Sequence, residues 1–100
     1  MNLYVIRRRQ GWRTPEELAQ AAEVSSRIGN EEMSDQVRWI RTYVVREPDG
    51  QLGTLCVYQA TDPEAIRDHA ERVGMPSDEI APVFDTVLVP PDPPRIAAVA

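Results

Sequence analysis

The spacing of apolar and polar residues predicts strands at four places along the chain. Residues 2–9 and 37–46 alternate with a period of two, which is the spacing of a half-buried strand, and Gly11 is the predicted end of the first. Turn residues at 48–50 separate the second run from an apolar run at 55–58, so these two form a predicted hairpin. A last strand is predicted at residues 83–89, after a turn at 75–79.

Two helices are predicted from the same start signal, a capping residue followed by proline and an acidic residue. Thr14 opens the first helix, whose apolar residues recur at helical spacing as far as Ile28, and Gly29 is its predicted left-handed stop. Asp62 opens the second helix, which we expect to end at Gly74.

The resulting order, βαββαβ, predicts a ferredoxin-like α+β fold, with two helices on one face of a four-stranded antiparallel sheet. A chain of 100 residues is long enough for one core but not two. We therefore expect one domain at residues 1–89 and a proline-rich C-terminal tail at residues 90–100. The last residues, 96–100, are apolar enough either to dock on the sheet or to hang free.

Apolar residues lie on both sides of the predicted strands. A strict alternation places Trp39, Arg41, Tyr43 and Val45 on one side of the second strand and Val44 on the other. With helices on one face only, the other face would expose an apolar surface to water. The simplest cover is a second copy packed sheet to sheet, so we expect a homodimer of the dimeric α/β-barrel type. Cover by the C-terminal tail is the alternative.

The composition of the chain excludes several classes of function. There are 16 acidic and 11 basic residues, and the net charge of -5 opposes binding to nucleic acid. No apolar run is long enough to span a membrane, and we expect no secretion signal because residues 1–9 lack a signal-type apolar segment. The single cysteine excludes an internal disulfide and a CxxC redox site. All basic residues are arginine, which excludes lysine-based catalysis and P-loop nucleotide binding. We expect a cytoplasmic protein without nucleic-acid or membrane partners.

The second predicted helix carries the candidate metal ligands. His69 lies at the margin of its apolar stripe, and a hydrogen-bonded structural role is the default interpretation because no metal ligand lies three or four residues away. Glu64 and Asp68 are four residues apart, so their carboxylates are neighbours and suit a divalent cation. The ordinary interpretation of these acids is a solvated helix face.

Two further side chains need an explanation. Cys56 is most simply a small buried hydrophobic residue, with a thiolate ligand as the minor alternative. Asp85 interrupts an apolar strand face in the last predicted strand, and an interface salt bridge is its default interpretation.

Several motifs resemble a small, largely actinobacterial family with a nickel-binding member, once catalogued as a domain of unknown function. The motifs are LYVIRRR, TPEELAQAA, VRWIRTYV, LCVYQATDPEAIRDHAERVGMP and VFDTVLV, and the resemblance covers about residues 2–89. The resemblance implies a ferredoxin-like dimer that binds nickel ions at its surface, for sequestration or tolerance.

Three hypotheses follow. The first is a non-catalytic binding protein for nickel, a divalent transition metal, with His69, Asp68 and Glu64 as ligands. The second is a small enzyme or carrier that binds a small molecule between helix and sheet, with His69 as the acid-base group beside Cys56 or a tyrosine. Its cleft would lie between small helix residues and aromatic strand residues, namely Ala21, Ala22 and Ser25 against Trp39, Tyr43 or Tyr58. In the third, the PPDPP tail binds another protein.

Overall fold

A computed structural model describes residues 1–96 and confirms the predicted α+β order. The elements are β1 (Asn2–Trp12), α1 (Pro15–Glu31), β2 (Val37–Arg46), β3 (Leu52–Ala60), α2 (Pro63–Val73) and β4 (Glu79–Pro82). All strand pairs are antiparallel, and the sheet order is β2-β3-β1-β4, so β1 and β3 are central. This four-stranded sheet with two helices is consistent with a ferredoxin-like fold.

The ends of the helices follow the predicted signals, with one exception. The side chains of Thr14 and Asp62 each accept a hydrogen bond from a backbone N–H in the first turn of their helix. Gly74 ends α2 in the left-handed conformation, with φ of 83°. The predicted stop at Gly29 was wrong, since α1 continues to Glu31. Gly29 instead lies against the side chains of His69 and Val37, and its lack of a side chain leaves room for them.

The core lies between the helices and one face of the sheet. Alternate residues of β1 and β3 point toward the helices and are buried. The buried apolar cluster consists of Tyr4, Ile6, Ile28, Met33, Val37, Cys56, Tyr58, Ala60, Ala65 and Ile66. Burying this apolar surface is the main force that holds the helices on the sheet. Cys56 is a buried free cysteine, as predicted.

The strands β1 and β2 each contain an irregularity that the sequence pattern did not show. In β2 the register passes from Trp39 to Arg41, which leaves Ile40 as the extra residue of a bulge. Beyond the bulge the alternation reverses, so Tyr43 lies on the helix-free face and not beside Trp39. The prediction that these residues share a side was wrong for this reason. The predicted end of β1 at Gly11 was also wrong, because the strand resumes after a register shift and ends at Trp12.

The last strand lies earlier in the chain than predicted. β4 pairs with β1 through residues 79–82, and the backbone N–H of Val83 then donates to the carbonyl of Leu3 over 2.9 Å. Since Leu3 is near the start of β1, no length of β1 remains for residues 83–89 to pair with. The predicted strand there was therefore wrong, as was a turn extending to Glu79.

The segment after β4 is exposed. Every residue from 84 to 96 is exposed, including the apolar side chains of Phe84, Val87, Leu88 and Val89. Asp92 forms an ion pair of 2.7 Å with Arg41, and Asp85 only accepts a hydrogen bond from the neighbouring amide of Thr86. Asp92 therefore reaches the helix-free face at Arg41, while Tyr43 on that face is still 48% exposed. Most of the predicted docking segment, 97–100, lies outside the described residues, and the boundary at residue 89 stays a prediction.

Candidate functional site

His69 points from α2 into the core, where it is 1% exposed. Its Nε2 lies 3.0 Å from the backbone carbonyl of Ser25 in α1. Because a carbonyl only accepts hydrogen bonds, Nε2 carries the proton and Nδ1 presents a lone pair. Nδ1 is buried and has no hydrogen-bond partner. Burial lowers the pKa of His69 below its usual 6.5, and the positive charge of Arg8 lowers it further.

Tyr58 on β3 is the centre of the polar cluster around His69. Its hydroxyl lies 3.1 Å from the hydroxyl of Ser25, and its ring centroid is 5.7 Å from that of His69. Trp39 from β2 stacks nearly parallel to it at 6.1 Å. Burial raises the pKa of Tyr58 to about 12, so its hydroxyl is neutral at any physiological pH.

A cleft of about 500 Å³ lies between α1 and β2. Tyr58 and His69 form part of its lining, and the small residues Ser25 and Gly29 of α1 border it. The structure thus brings together Ser25, Tyr58 and His69, as the second hypothesis expects. The expected Tyr43 lies on the opposite face of the sheet because of the bulge in β2.

Arg8 is a site residue whose burial the sequence analysis did not predict. It is 0% exposed, and its guanidinium carbon lies 6.0 Å from the centroid of the Tyr58 ring. None of its three guanidinium nitrogens has a hydrogen-bond partner. The strand period contained the signal, since Arg8 shares a face with Tyr4 and Ile6. The three consecutive arginines at 7–9 obscured it, because a charged run is normally solvated.

Glu64 and Asp68 lie on the outer surface of α2, away from His69. Glu64 forms an ion pair with Arg67, and Asp68 forms one with Arg72 at 3.2 Å. Both acids border a shallow depression of about 410 Å³, together with Asp62 and Glu71. The structure therefore places both carboxylates at one depression, apart from the buried imidazole of His69.

Within residues 1–96, no three histidine, cysteine or acidic side chains are arranged to hold a metal ion. The assignment of His69, Asp68 and Glu64 as ligands stays a prediction. Across the same residues, no helix has the length and apolar character needed to span a membrane.

The fold and the site define a small α+β protein with a polar cluster between its helices and its sheet. Residues 4–83 match the family described as nickel responsive protein SCO4226-like, and the chain belongs to this family. The resemblance found in the sequence is thereby confirmed.

Among solved structures, the chain is similar to SCO4226 from Streptomyces coelicolor A3(2), whose crystal structure is known. The two chains share 21% sequence identity with a TM-score of 0.65, over 85% of this chain and 99% of that one. At this identity the likeness shows the fold. None of the curated proteins matches the chain.

Proposed function

We propose that this protein is a non-catalytic nickel-binding protein that sequesters the ion or confers tolerance to it. The observation that carries this proposal is membership, over residues 4–83, of a family described as nickel responsive. The acidic depression on α2 supplies oxygen ligands for a divalent cation. The proposal includes a cytoplasmic location, which agrees with a free cysteine and no disulfide in the described chain.

The carboxylates of Glu64 and Asp68 are the proposed ligands. They are one helical turn apart, and their present partners, Arg67 and Arg72, are held only in exposed ion pairs. A cation that binds these two carboxylates would therefore displace only weak ion pairs. His69 would have to leave the core and its bond to Ser25 to join them, so in this proposal it acts as a core residue. Water or a second copy completes the coordination of Ni(II), which prefers more ligands than two side chains provide.

Calorimetric titration with Ni(II) tests the metal site. The Glu64→Gln/Asp68→Asn double variant is expected to weaken binding at least about tenfold, since both anionic ligands are lost. The matched control is Glu16→Gln/Glu23→Gln on α1, which changes the net charge equally and should bind as the parent does. His69→Gln should also retain binding.

Two results would count against this assignment. An absence of saturable heat with the parent protein would refute nickel binding. Loss of binding in His69→Gln, with retention in the double acid variant, would move the site to the histidine.

The helix-free face of the sheet is the proposed dimer interface. Tyr43, Val45 and Leu55 lie on this face and are 48%, 37% and 37% exposed. Leu3 and Val5 of β1 extend the same apolar surface. A second copy packed sheet to sheet would remove this surface from water, and a two-fold axis would pair the patch with itself. The net charge of -5 argues against nucleic acid as an alternative partner.

A second candidate function is small-molecule carriage in the cleft between α1 and β2. The observation that favours it is the cleft itself, about 500 Å³ in volume, with buried polar side chains at its wall. Tyr58 and His69 both line the cleft, and the free Nδ1 lone pair of His69 is the proposed group for acid-base exchange with a ligand.

A further inference from the structure

Arg8 places an uncompensated positive charge in the core. Within residues 1–96, the buried polar or charged side chains are Arg8, Ser25, Thr54 and His69, and none of them is acidic. Other buried ionisable groups escape this situation by becoming neutral, but arginine keeps its proton at all physiological pH values. The ring of Tyr58 compensates only part of the charge. A bound anion would neutralise the rest of this charge.

The unpartnered polar atoms of the core lie around this charge. Among the described side chains they belong to Arg8, Thr54 and His69. Thr54 is the direct neighbour of Arg8 across the β1–β3 ladder, on the same helix-covered face. His69 and Arg8 both adjoin the ring of Tyr58, at 5.7 Å between ring centroids and at 6.0 Å from the guanidinium carbon. The three orphaned groups thus belong to three different elements, with Thr54 and the Tyr58 ring beside Arg8 and with His69 beside the same ring.

The cleft between α1 and β2 leads to this region. Tyr58 and His69 line the cleft, whereas Arg8 lies beside the ring of Tyr58 and outside the lining. On the α1 side the cleft is lined by Ser25 and Gly29, whose small size leaves room for a ligand. A small molecule in the cleft would contact His69 directly and would reach Arg8 and Thr54 by moving past the ring of Tyr58.

We propose that Arg8, Thr54 and His69 bind a small oxyanion that also carries an O–H group, such as a hydroxycarboxylate or hydrogen phosphate. This inference rests on the second candidate function, ligand binding in the cleft. The guanidinium of Arg8 donates two parallel hydrogen bonds to the anion, and the hydroxyl of Thr54 donates a third. Nδ1 of His69 accepts from the O–H group, because Nε2 already holds the proton and donates it to Ser25. A metal cation is excluded from this position by the like charge of Arg8.

Nuclear magnetic resonance titration in Tris chloride tests the site with two matched pairs of probes. Glycolate and hydrogen phosphate carry the O–H group, whereas acetate and sulfate lack it. Saturable shifts are expected at the Arg8 Nε–H and at the amides of Thr54 and His69. Within each pair, the probe with the O–H group should bind about tenfold more tightly, which is the effect of one added hydrogen bond.

Variants separate an anion site from a structural arginine. Arg8→Met removes the charge but keeps a long unbranched side chain, so it should abolish the response to glycolate and phosphate. It should also raise the thermal midpoint in Tris chloride, since an unpaired buried charge is lost. Arg27→Met, on the exposed surface of α1, is the charge-matched control and should respond as the parent does. Thr54→Val should bind the anions more weakly while leaving the core volume unchanged.

The outcomes also distinguish this inference from the cleft hypothesis. Propanediol is a neutral probe, and shifts at Ser25 and Tyr58 with propanediol but not with any anion would overturn the anion site and leave the cleft intact. No response to any probe would overturn both. Equal binding of anions to the parent and Arg8→Met would remove Arg8 from the site. Equal binding of glycolate and acetate would overturn the role of His69 as acceptor.

Discussion

The imidazole of His69 in α2 donates a hydrogen bond of 3.0 Å to the backbone carbonyl of Ser25 in α1. This bond joins the two helices across the core and determines which ring nitrogen carries the proton. It leaves Nδ1 with a free lone pair that is buried and has no hydrogen-bond partner. His69 is therefore placed to act within the core and not at the acidic surface of α2.

Replacing His69 with alanine is expected to destabilise the protein by about 2–4 kcal/mol, because a buried side chain and the bond between the helices are both lost. Glu71→Ala is the control on the same helix, where the side chain is exposed and the change should stay within about 0.5 kcal/mol. Urea unfolding measures both. If His69→Ala unfolds at the same urea concentration as the parent, the histidine has no structural role.

Tyr58 is expected to make the stability depend on alkaline pH. Burial raises its pKa from 10.0 to about 12, so the folded state holds the proton more tightly than the unfolded state does. This contribution is fully present below pH 10 and is lost as the pH rises to about 12, a total of about 3 kcal/mol.

The control for this prediction is Tyr58→Phe. It should lose about 1 kcal/mol at neutral pH with the hydrogen bond to Ser25, yet lack the additional alkaline decline. Urea unfolding at pH 9 and pH 11.5 compares the two proteins. Equal declines in both would show that other groups cause the pH dependence.

The proposed dimer interface can be tested by changing one face of the sheet at a time. Leu55→Arg places a charge on the helix-free face and should convert the dimer to a monomer, because an unpaired charge is costly in an apolar interface. Val44 is even more exposed, at 51%, but lies on the other face of β2, so Val44→Arg should remain dimeric. Sedimentation at micromolar concentration measures both. A parent protein that sediments as a monomer would refute the interface.

Two glycines should respond to alanine in opposite directions. A Cβ at Gly53 would collide with Glu47 and with the backbone carbonyl of Arg8, so Gly53→Ala should cost about 1–3 kcal/mol. At Gly29, inside α1, the nearest atom to an added Cβ is Nε2 of His69 at 3.6 Å, which is ordinary contact. Gly29→Ala should therefore stabilise the protein by about 0.5–1 kcal/mol, since alanine favours the helix. Thermal unfolding of both variants checks the signs, and a stabilised Gly53→Ala would contradict the collision.

Local signals along the chain determine where the helices begin and in what order helices and strands follow. The caps at Thr14 and Asp62 and the left-handed Gly74 act within a few residues, so their effects can be predicted from the sequence. The family resemblance is visible in the same way, since motifs are contiguous. The same locality explains the error at Gly29, because its neighbours His69 and Val37 come from other elements and are not part of a local signal.

The sequence alone established the α+β class, the helix starts, the central hairpin and the membership of the nickel responsive family. Only the tertiary structure decided that Ile40 forms a bulge, that β4 ends at Pro82, and that Arg8 is buried beside Tyr58. These features depend on pairing between strands distant in the chain and on contacts between helix and sheet. A local pattern of polarity cannot specify them, because register and burial are properties of the neighbours that folding brings together.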